Sequence, residues 1–126
     1  MTTYVFWDIE NVSIHNLAKI MDRVRAVDGD AEKFAVYSKI KESRTVLLID
    51  NGWTPVRTEG IFRNSADTTI KRMIESVLEQ NDKSVKSIII ITEDKGFRRI
   101  SERVIRSGIS LEIICGTKSP AWIQRL

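Results

Sequence analysis

Three aspartates in the sequence stand where a strand ends or a helix begins, and together they could do chemistry. Asp8 ends a short aromatic and β-branched run, Asp94 follows four consecutive isoleucines closely, and Asp67 opens a strongly periodic helical segment. Clustered carboxylates repel one another, and these segments do not offer each acid an arginine. A hard divalent cation, Mg²⁺ or Mn²⁺, removes that repulsion, activates a water and neutralises a phosphoryl oxygen. The reaction class predicted is phosphodiester hydrolysis.

Each acid also has a purely structural interpretation. Asp8 could cap a loop, and Asp94 could cap a helix that begins near Lys95. Asp67 could be a first-turn acid favoured by the helix dipole, or the partner of Lys71 one turn later. For Asp8 we favour a functional role, because a carboxylate that ends a hydrophobic central strand costs free energy unless something compensates it.

The elements that must position these acids alternate along the chain as strand and helix. The predicted strands are Tyr4–Asp8, Phe34–Ser38, Trp53–Thr58, Ser87–Thr92 and Leu111–Cys115. Helices are predicted where apolar residues recur at helical spacing. The first follows a cap at Asn11 or Ser13, and the others cover Glu42–Asp50, the segment after Asp67, and Phe97 to Gly108. Pro120 is predicted to begin a short terminal helix after a Ser119 cap. This pattern is typical of the α/β class, with a five-stranded parallel sheet between two helical layers in a three-layer αβα arrangement.

The predicted sheet also fixes where a ligand would bind. Pro55 has no backbone N–H to donate to a neighbouring strand, so the third strand is expected at an edge of the sheet. In open parallel sheets, ligands bind beyond the carboxyl ends of the strands, where the strand order reverses. Asp8 and Asp94 follow strand ends, and Asp67 lies at the start of a helix that faces the same edge. We therefore expect all three acids to converge there.

Composition indicates a soluble globular chain that forms a single domain over residues 1–126, with 42% hydrophobic and 29% charged residues. No signal peptide or membrane span is expected, and the single cysteine, Cys115, excludes a disulfide or a cysteine zinc site within one chain. A cytoplasmic location is the default expectation. Net charge is +3, and the whole basic excess lies in residues 64–126, which suits a phosphate-bearing partner.

Three motifs in order resemble those of the NYN domain, a family within the PIN-like metal-dependent ribonucleases. The segment Phe6–Val12 resembles its opening Asp-x-x-Asn motif, Ser65–Asp67 its middle Gly/Ala-Asp motif, and Ile91–Phe97 its third motif, Ser-Gly-Asp-Ser-Asp-Phe. Gly108, before the last predicted strand, also fits the family pattern. The resemblance covers roughly residues 4–115.

The resemblance implies a strand order of 3-2-1-4-5 and a metal-dependent ribonuclease that uses Mg²⁺ or Mn²⁺. It implies that Asp8, Asp67 and Asp94 are metal-site carboxylates, and that Asn11 holds Asp8 or the attacking water. Auxiliary roles are considered for the neighbouring polar residues Glu10, Thr92 and Glu93.

The sequence departs from the family pattern in two motifs. Gly96 replaces the second aspartate of the third motif, and Asn64 and Ser65 stand where a basic residue often precedes the middle motif. Glu93 could compensate for the missing acid. The alternative to an active ribonuclease is therefore a catalytically weakened NYN-like module that binds RNA or protein.

Several basic residues are expected to rim the carboxyl edge and contact RNA phosphates without reading sequence. These residues are Lys39, Lys41, Arg63, Lys95 and Arg98. The expected partner is RNA. A homodimer with a second copy of the chain is a further possibility, and no association with a membrane is expected. Phe97 could stack on a base, but its helical spacing favours a core position.

Overall fold

Five strands form one parallel sheet at the centre of the molecule. The computed structural model describes residues 1–58, 65–116 and 119–126. The strands are β1 Thr2–Asp8, β2 Glu32–Tyr37, β3 Trp53–Arg57, β4 Val85–Ile91 and β5 Ser110–Ile114. All four strand pairs are parallel, and the order is β3-β2-β1-β4-β5. The α/β class, the strand order 3-2-1-4-5 and the edge position of the strand that carries Pro55 are confirmed.

Helices connect the strands. They are α1 Leu17–Val27, α2 Glu42–Asp50, α3 Ser65–Glu79, α4 Arg98–Arg106 and α5 Ala121–Gln124. Single 3₁₀ turns at Ile14–Asn16 and Lys95–Phe97 lead into α1 and α4. The Ser13 hydroxyl caps the first of these turns by accepting from the His15 N–H at 3.3 Å. The prediction that Pro120 is the first helical residue is wrong, because its ψ of 158° is extended and α5 begins one residue later.

Alternation along the strands divides the core between the two faces of the sheet. Val5 and Trp7 pack on the face covered by α1, whereas Phe6 packs on the face covered by α3 and α4. The isoleucines of β4 alternate in the same way, and all four are fully buried. Such continuous apolar sequence is expected of a strand that is covered on both faces.

The same period of two places Asp8 on the face of the sheet that α3 covers. Side chains two residues apart on a strand share a face, so Asp8 points to the side occupied by Phe6. Asp8 is level with Val36 on β2, and Trp7 is level with Ile91 on β4. The Asp8 carboxylate therefore lies at the carboxyl edge, where the chain order reverses between β1 and β4.

Large aromatic side chains pack in the core, as their spacing predicts. The rings of Trp7 and Trp53 meet edge to face at 5.1 Å, and the Trp7 indole donates to the Val12 carbonyl at 2.7 Å. Phe97 is fully buried against the α3 face and is not available to stack on a base. Across the part of the chain that the structure describes, no helix has the length and apolarity that crossing a membrane requires.

Candidate active site

Asp8 is a buried carboxylate surrounded by other acids. It is 5% exposed. Burial, followed by the negative charges of Asp67, Glu10 and Asp94, raises the pKa of Asp8 from 3.8 to about 7, against a lowering contribution from the Asn11 backbone N–H. Asp8 therefore holds its proton up to near neutral pH. The fold brings Asp67 and Asp94 close enough to act on Asp8 electrostatically.

Asp67 enters this cluster from the first turn of α3. The residue is 7% exposed, and Lys71 Nζ lies 2.9 Å from its Oδ1, four residues along the helix. The distance is that of an ion pair, but Oδ1 accepts no hydrogen bond of acceptable geometry. The predicted pairing with Lys71 is confirmed, and Asp67 keeps unused acceptor capacity inside the protein.

Asp94 comes from the loop that follows β4. Its Oδ1 accepts from the Gly96 N–H at 2.9 Å and so caps the 3₁₀ turn before α4, which confirms the capping interpretation. The Asp94 N–H donates to the Thr92 hydroxyl at 3.1 Å. A capping carboxylate still has further acceptor lone pairs, so this hydrogen bond does not exclude a second role.

Gly96 marks the point where the acids of α3 and of the β4 loop meet. A Cβ atom at this position would lie 3.2 Å from Asp67 Oδ2, 3.3 Å from Asp94 Oδ1 and 3.4 Å from Lys71 Nζ. Two carboxylate oxygens from separate elements thus lie within 3.3 Å of one point in space. Any side chain at this position, including the aspartate of the family motif, would require its neighbours to shift.

Asn11 ties the loop after β1 to the loop after β4. Its Oδ1 accepts from the Glu93 N–H at 2.6 Å and from the Thr92 hydroxyl at 3.2 Å, and Thr92 is fully buried. Thr92 in turn orients Asp94 through the bond described above. Asn11 thus holds the segment that carries Asp94 beside the segment that carries Asp8.

The two glutamates considered as auxiliaries are directed to other partners. Glu10 accepts hydrogen bonds from the Ser38 N–H and, at 2.9 Å, from the Ser38 hydroxyl, which links the ends of β1 and β2. Glu93 Oε2 accepts from the Gly116 N–H at 3.3 Å, after β5. This contact places Glu93 Oε2 at the end of β5.

The donor chemistry of the cluster suits a hard cation. Among the described residues, no group of three or more His, Cys, Asp or Glu side chains is placed to hold a metal ion jointly. Mg²⁺ commonly takes one or two carboxylates and completes its octahedron with water. The oxygens of Asp67 and Asp94 that converge on Gly96, with the unused acceptor capacity of Asp67, fit that mode of binding.

A cleft of about 580 Å³ opens at the loop after β1, between the ends of β1 and β2 and the start of α2. Its lining consists of Ile9, Glu10, Asn11, Ser13, Ile14, Lys39, Ile40, Lys41 and Arg44. The predicted contacts Lys39 and Lys41 are thus brought together, and Arg44 joins them. Arg44 was not among the predicted contacts, although its spacing of three residues from Lys41 could have indicated it.

The remaining predicted RNA contacts lie elsewhere. Lys95, in the 3₁₀ turn that follows Asp94, and Arg98, the first residue of α4, are both exposed. Arg98 Nε pairs with Glu102 at 3.1 Å. Arg63 lies outside the described residues, as does Asn64. Among the described residues, predicted RNA contacts therefore lie both after β2 and around the start of α4.

Comparison with known proteins identifies one family. The model of the NYN domain matches residues 2–124. The matched region contains all five strands and the three aspartates of the cluster. No curated protein shows significant similarity to the chain.

Proposed function

The chain belongs to the NYN domain family of the PIN-like superfamily, and from this premise we propose that it is a metal-dependent ribonuclease. Members of the family are nuclease-like, RNA-related domains. We further assign hydrolysis of RNA phosphodiester bonds to Asp8, Asp67 and Asp94, with Mg²⁺ or Mn²⁺ as cofactor. The observation that carries this proposal is the convergence of the Asp67 and Asp94 oxygens on Gly96, on the face of the sheet to which Asp8 points.

Each residue of the cluster has a distinct part in this proposal. Asp67 and Asp94 would hold the cation, Asp8 would reach it through the ion's water shell, and Asn11 would keep the two loops in register. When bound, the ion would supply charge neutralisation and Lewis acidity at a phosphoryl oxygen. Since the pKa of Asp8 is raised to about 7, the cluster reaches its full negative charge only above neutral pH. Cation binding is therefore expected to release a proton from Asp8.

The basic cleft at the ends of β1 and β2 supports RNA as the substrate. Lys39, Lys41 and Arg44 line it, and the acid in its described lining, Glu10, already accepts two hydrogen bonds from Ser38. Cationic side chains of this kind attract phosphates regardless of base identity. Ile40, the partly exposed isoleucine of the same lining, offers an apolar surface for a base or ribose.

A second function, a catalytically weakened module that binds RNA or protein, is favoured by one specific observation. Gly96 removes an acid from the third motif, and the ammonium of Lys71 lies against Asp67. Both features reduce the negative charge available to hold a cation. Such a module would keep the basic cleft and bind RNA without cleaving it.

A cleavage assay separates the two functions. Wild-type protein, Asp8→Asn and Asp67→Asn are incubated with labelled single-stranded RNA in Mn²⁺, in Mg²⁺ and in EDTA. A ribonuclease of the proposed kind cleaves only with metal and loses at least about a hundredfold in rate in both variants, on the scale of groups that act on the reacting centre. Asp22→Asn, an exposed acid on α1, is the matched control and keeps wild-type activity.

The outcomes of this assay are distinct. Activity that survives Asp8→Asn contradicts both the site and the metal mechanism. RNA binding by wild type without any metal-dependent cleavage supports the weakened module instead. The predicted homodimer and cytoplasmic location stay predictions, and nothing in residues 1–58, 65–116 and 119–126 supports a dimer.

A further inference from the structure

Lys71 is the cation that lies closest to the acidic cluster in the contacts of the described residues. Its Nζ lies 2.9 Å from Asp67 Oδ1 and 5.5 Å from the centroid of the buried Phe97 ring. The side chain of Lys71 is 33% exposed and that of Asp67 only 10%. By contrast, the pair of the same spacing on α4, Arg98 with Glu102, is 54% and 42% exposed.

The lack of a side chain at Gly96 leaves room for the Lys71 ammonium. A Cβ at position 96 would lie 3.4 Å from Lys71 Nζ, and would at the same time touch oxygens of Asp67 and Asp94. The ammonium thus stands beside the point where both carboxylates converge, and not only against its helical neighbour. The space that a side chain at position 96 would need is therefore the space beside which the Lys71 ammonium lies.

Resting on the proposed metal site, we propose that Lys71 is a resident counter-ion of the acidic cluster that competes with the divalent cation for Asp67. The ammonium offsets part of the negative charge that the carboxylates present to a cation. Lys71 therefore weakens the binding of the divalent ion. It acts on the ion through Asp67, as a positioning residue for that carboxylate.

The physical reason is the placement of two positive charges near one carboxylate. A cation that binds Asp67 either displaces the ammonium or binds while repelled by it, and both cost free energy. The attraction between unit charges a few ångströms apart near a protein surface is several times the thermal energy, and partial exposure of Lys71 reduces it. Removing the ammonium is therefore expected to tighten binding of the divalent ion by about tenfold or more.

The test is direct measurement of Mn²⁺ binding to the purified chain by isothermal titration calorimetry, with free Mn²⁺ counted by electron paramagnetic resonance. The variant is Lys71→Met, which keeps an unbranched stem to pack on Phe97 but removes the charge. Arg72→Met, on the exposed neighbouring position of α3, is the matched control. Lys71→Arg retains the charge.

We expect wild type, Arg72→Met and Lys71→Arg to bind one Mn²⁺ with similar dissociation constants, and Lys71→Met to bind at least about tenfold more tightly. In EDTA, Lys71→Met should melt at a lower temperature than wild type, because the cluster has lost its counter-ion, and saturating Mn²⁺ should remove that difference. Unfolding curves also show directly whether the variant is folded.

Two different failures can be told apart. If wild type binds Mn²⁺ but Lys71→Met binds it no more tightly, the competition is overturned and the proposed ribonuclease site stands. If neither protein binds Mn²⁺ saturably, both the competition and the metal-dependent function are overturned, and a lower melting temperature of Lys71→Met then assigns the ion pair to folding alone.

Discussion

Replacing Asp8 by asparagine should change how the stability of the folded protein depends on pH. Asparagine has the shape of protonated aspartate but cannot ionise. The folded protein raises the pKa of Asp8 from 3.8 to about 7, because the carboxylate is buried beside Asp67, Glu10 and Asp94. The variant has no carboxyl group to keep protonated or to bury as a charge. It should therefore be more stable than wild type at every pH at which Asp8 is charged in the unfolded chain.

The sign and size follow from proton linkage. Below pH 3.8 Asp8 is protonated in both states and has no effect on stability; between 3.8 and about 7 only the unfolded chain ionises, so wild-type stability falls as pH rises. Above about 7 both states are ionised and the loss is complete. At about 1.4 kcal/mol for each pH unit, the full loss is about 4 kcal/mol.

The assay is urea unfolding of wild type and Asp8→Asn between about pH 4 and pH 8 in EDTA. We expect the unfolding free energy of the variant, relative to wild type, to rise by about 4 kcal/mol across this range. Asp22→Asn, with its exposed acid on α1, should track wild type at every pH. A constant difference between Asp8→Asn and wild type would refute the placement of Asp8 among buried acids.

Three further predictions concern the residues around the cluster. Asn11→Ala should lower the unfolding free energy by about 1–2 kcal/mol in urea titrations, because the bridge between the two loops loses its acceptor; unchanged stability would contradict that bridge. Lys41→Gln and Arg44→Gln should each weaken binding to single-stranded RNA and reduce the slope of log affinity against log salt by about 0.7, and an unaltered slope would remove both residues from the interface. Ile90→Ala should cost about 2–5 kcal/mol in the same urea titrations, whereas the half-exposed Ile105→Ala should stay within about 0.5 kcal/mol; equal losses would contradict the assigned core.

The architecture could be predicted from the sequence because its signals are local. Four consecutive isoleucines identify a strand buried on both faces, and Asn51-Gly52 marks the end of α2, where Gly52 has φ of 83°. Pro55 predicts an edge, since a proline in a central strand would remove a ladder bond. The strand order itself came from the family resemblance, because alternation alone fits more than one parallel order.

The side-chain directions at the site could not be predicted in the same way. Glu93 and Asp94 are adjacent in sequence, yet Glu93 accepts a hydrogen bond at the end of β5 while Asp94 caps the turn before α4. These directions depend on which loops meet, and the loops meet only once the sheet has formed. The spacing of Asp67 and Lys71 predicted their pairing, but not that the ammonium also lies beside the point at Gly96 on which oxygens of Asp67 and Asp94 converge.

Anomalous scattering from crystals soaked in Mn²⁺ tests the central claim most directly. We predict one manganese peak at the carboxyl edge of the sheet, among Asp8, Asp67 and Asp94, with water completing its coordination. Crystals of Asp67→Asn should show that peak weakened or lost. A wild-type crystal without a peak there, at a Mn²⁺ concentration that supports RNA cleavage in solution, would contradict the claim that these carboxylates form the metal site.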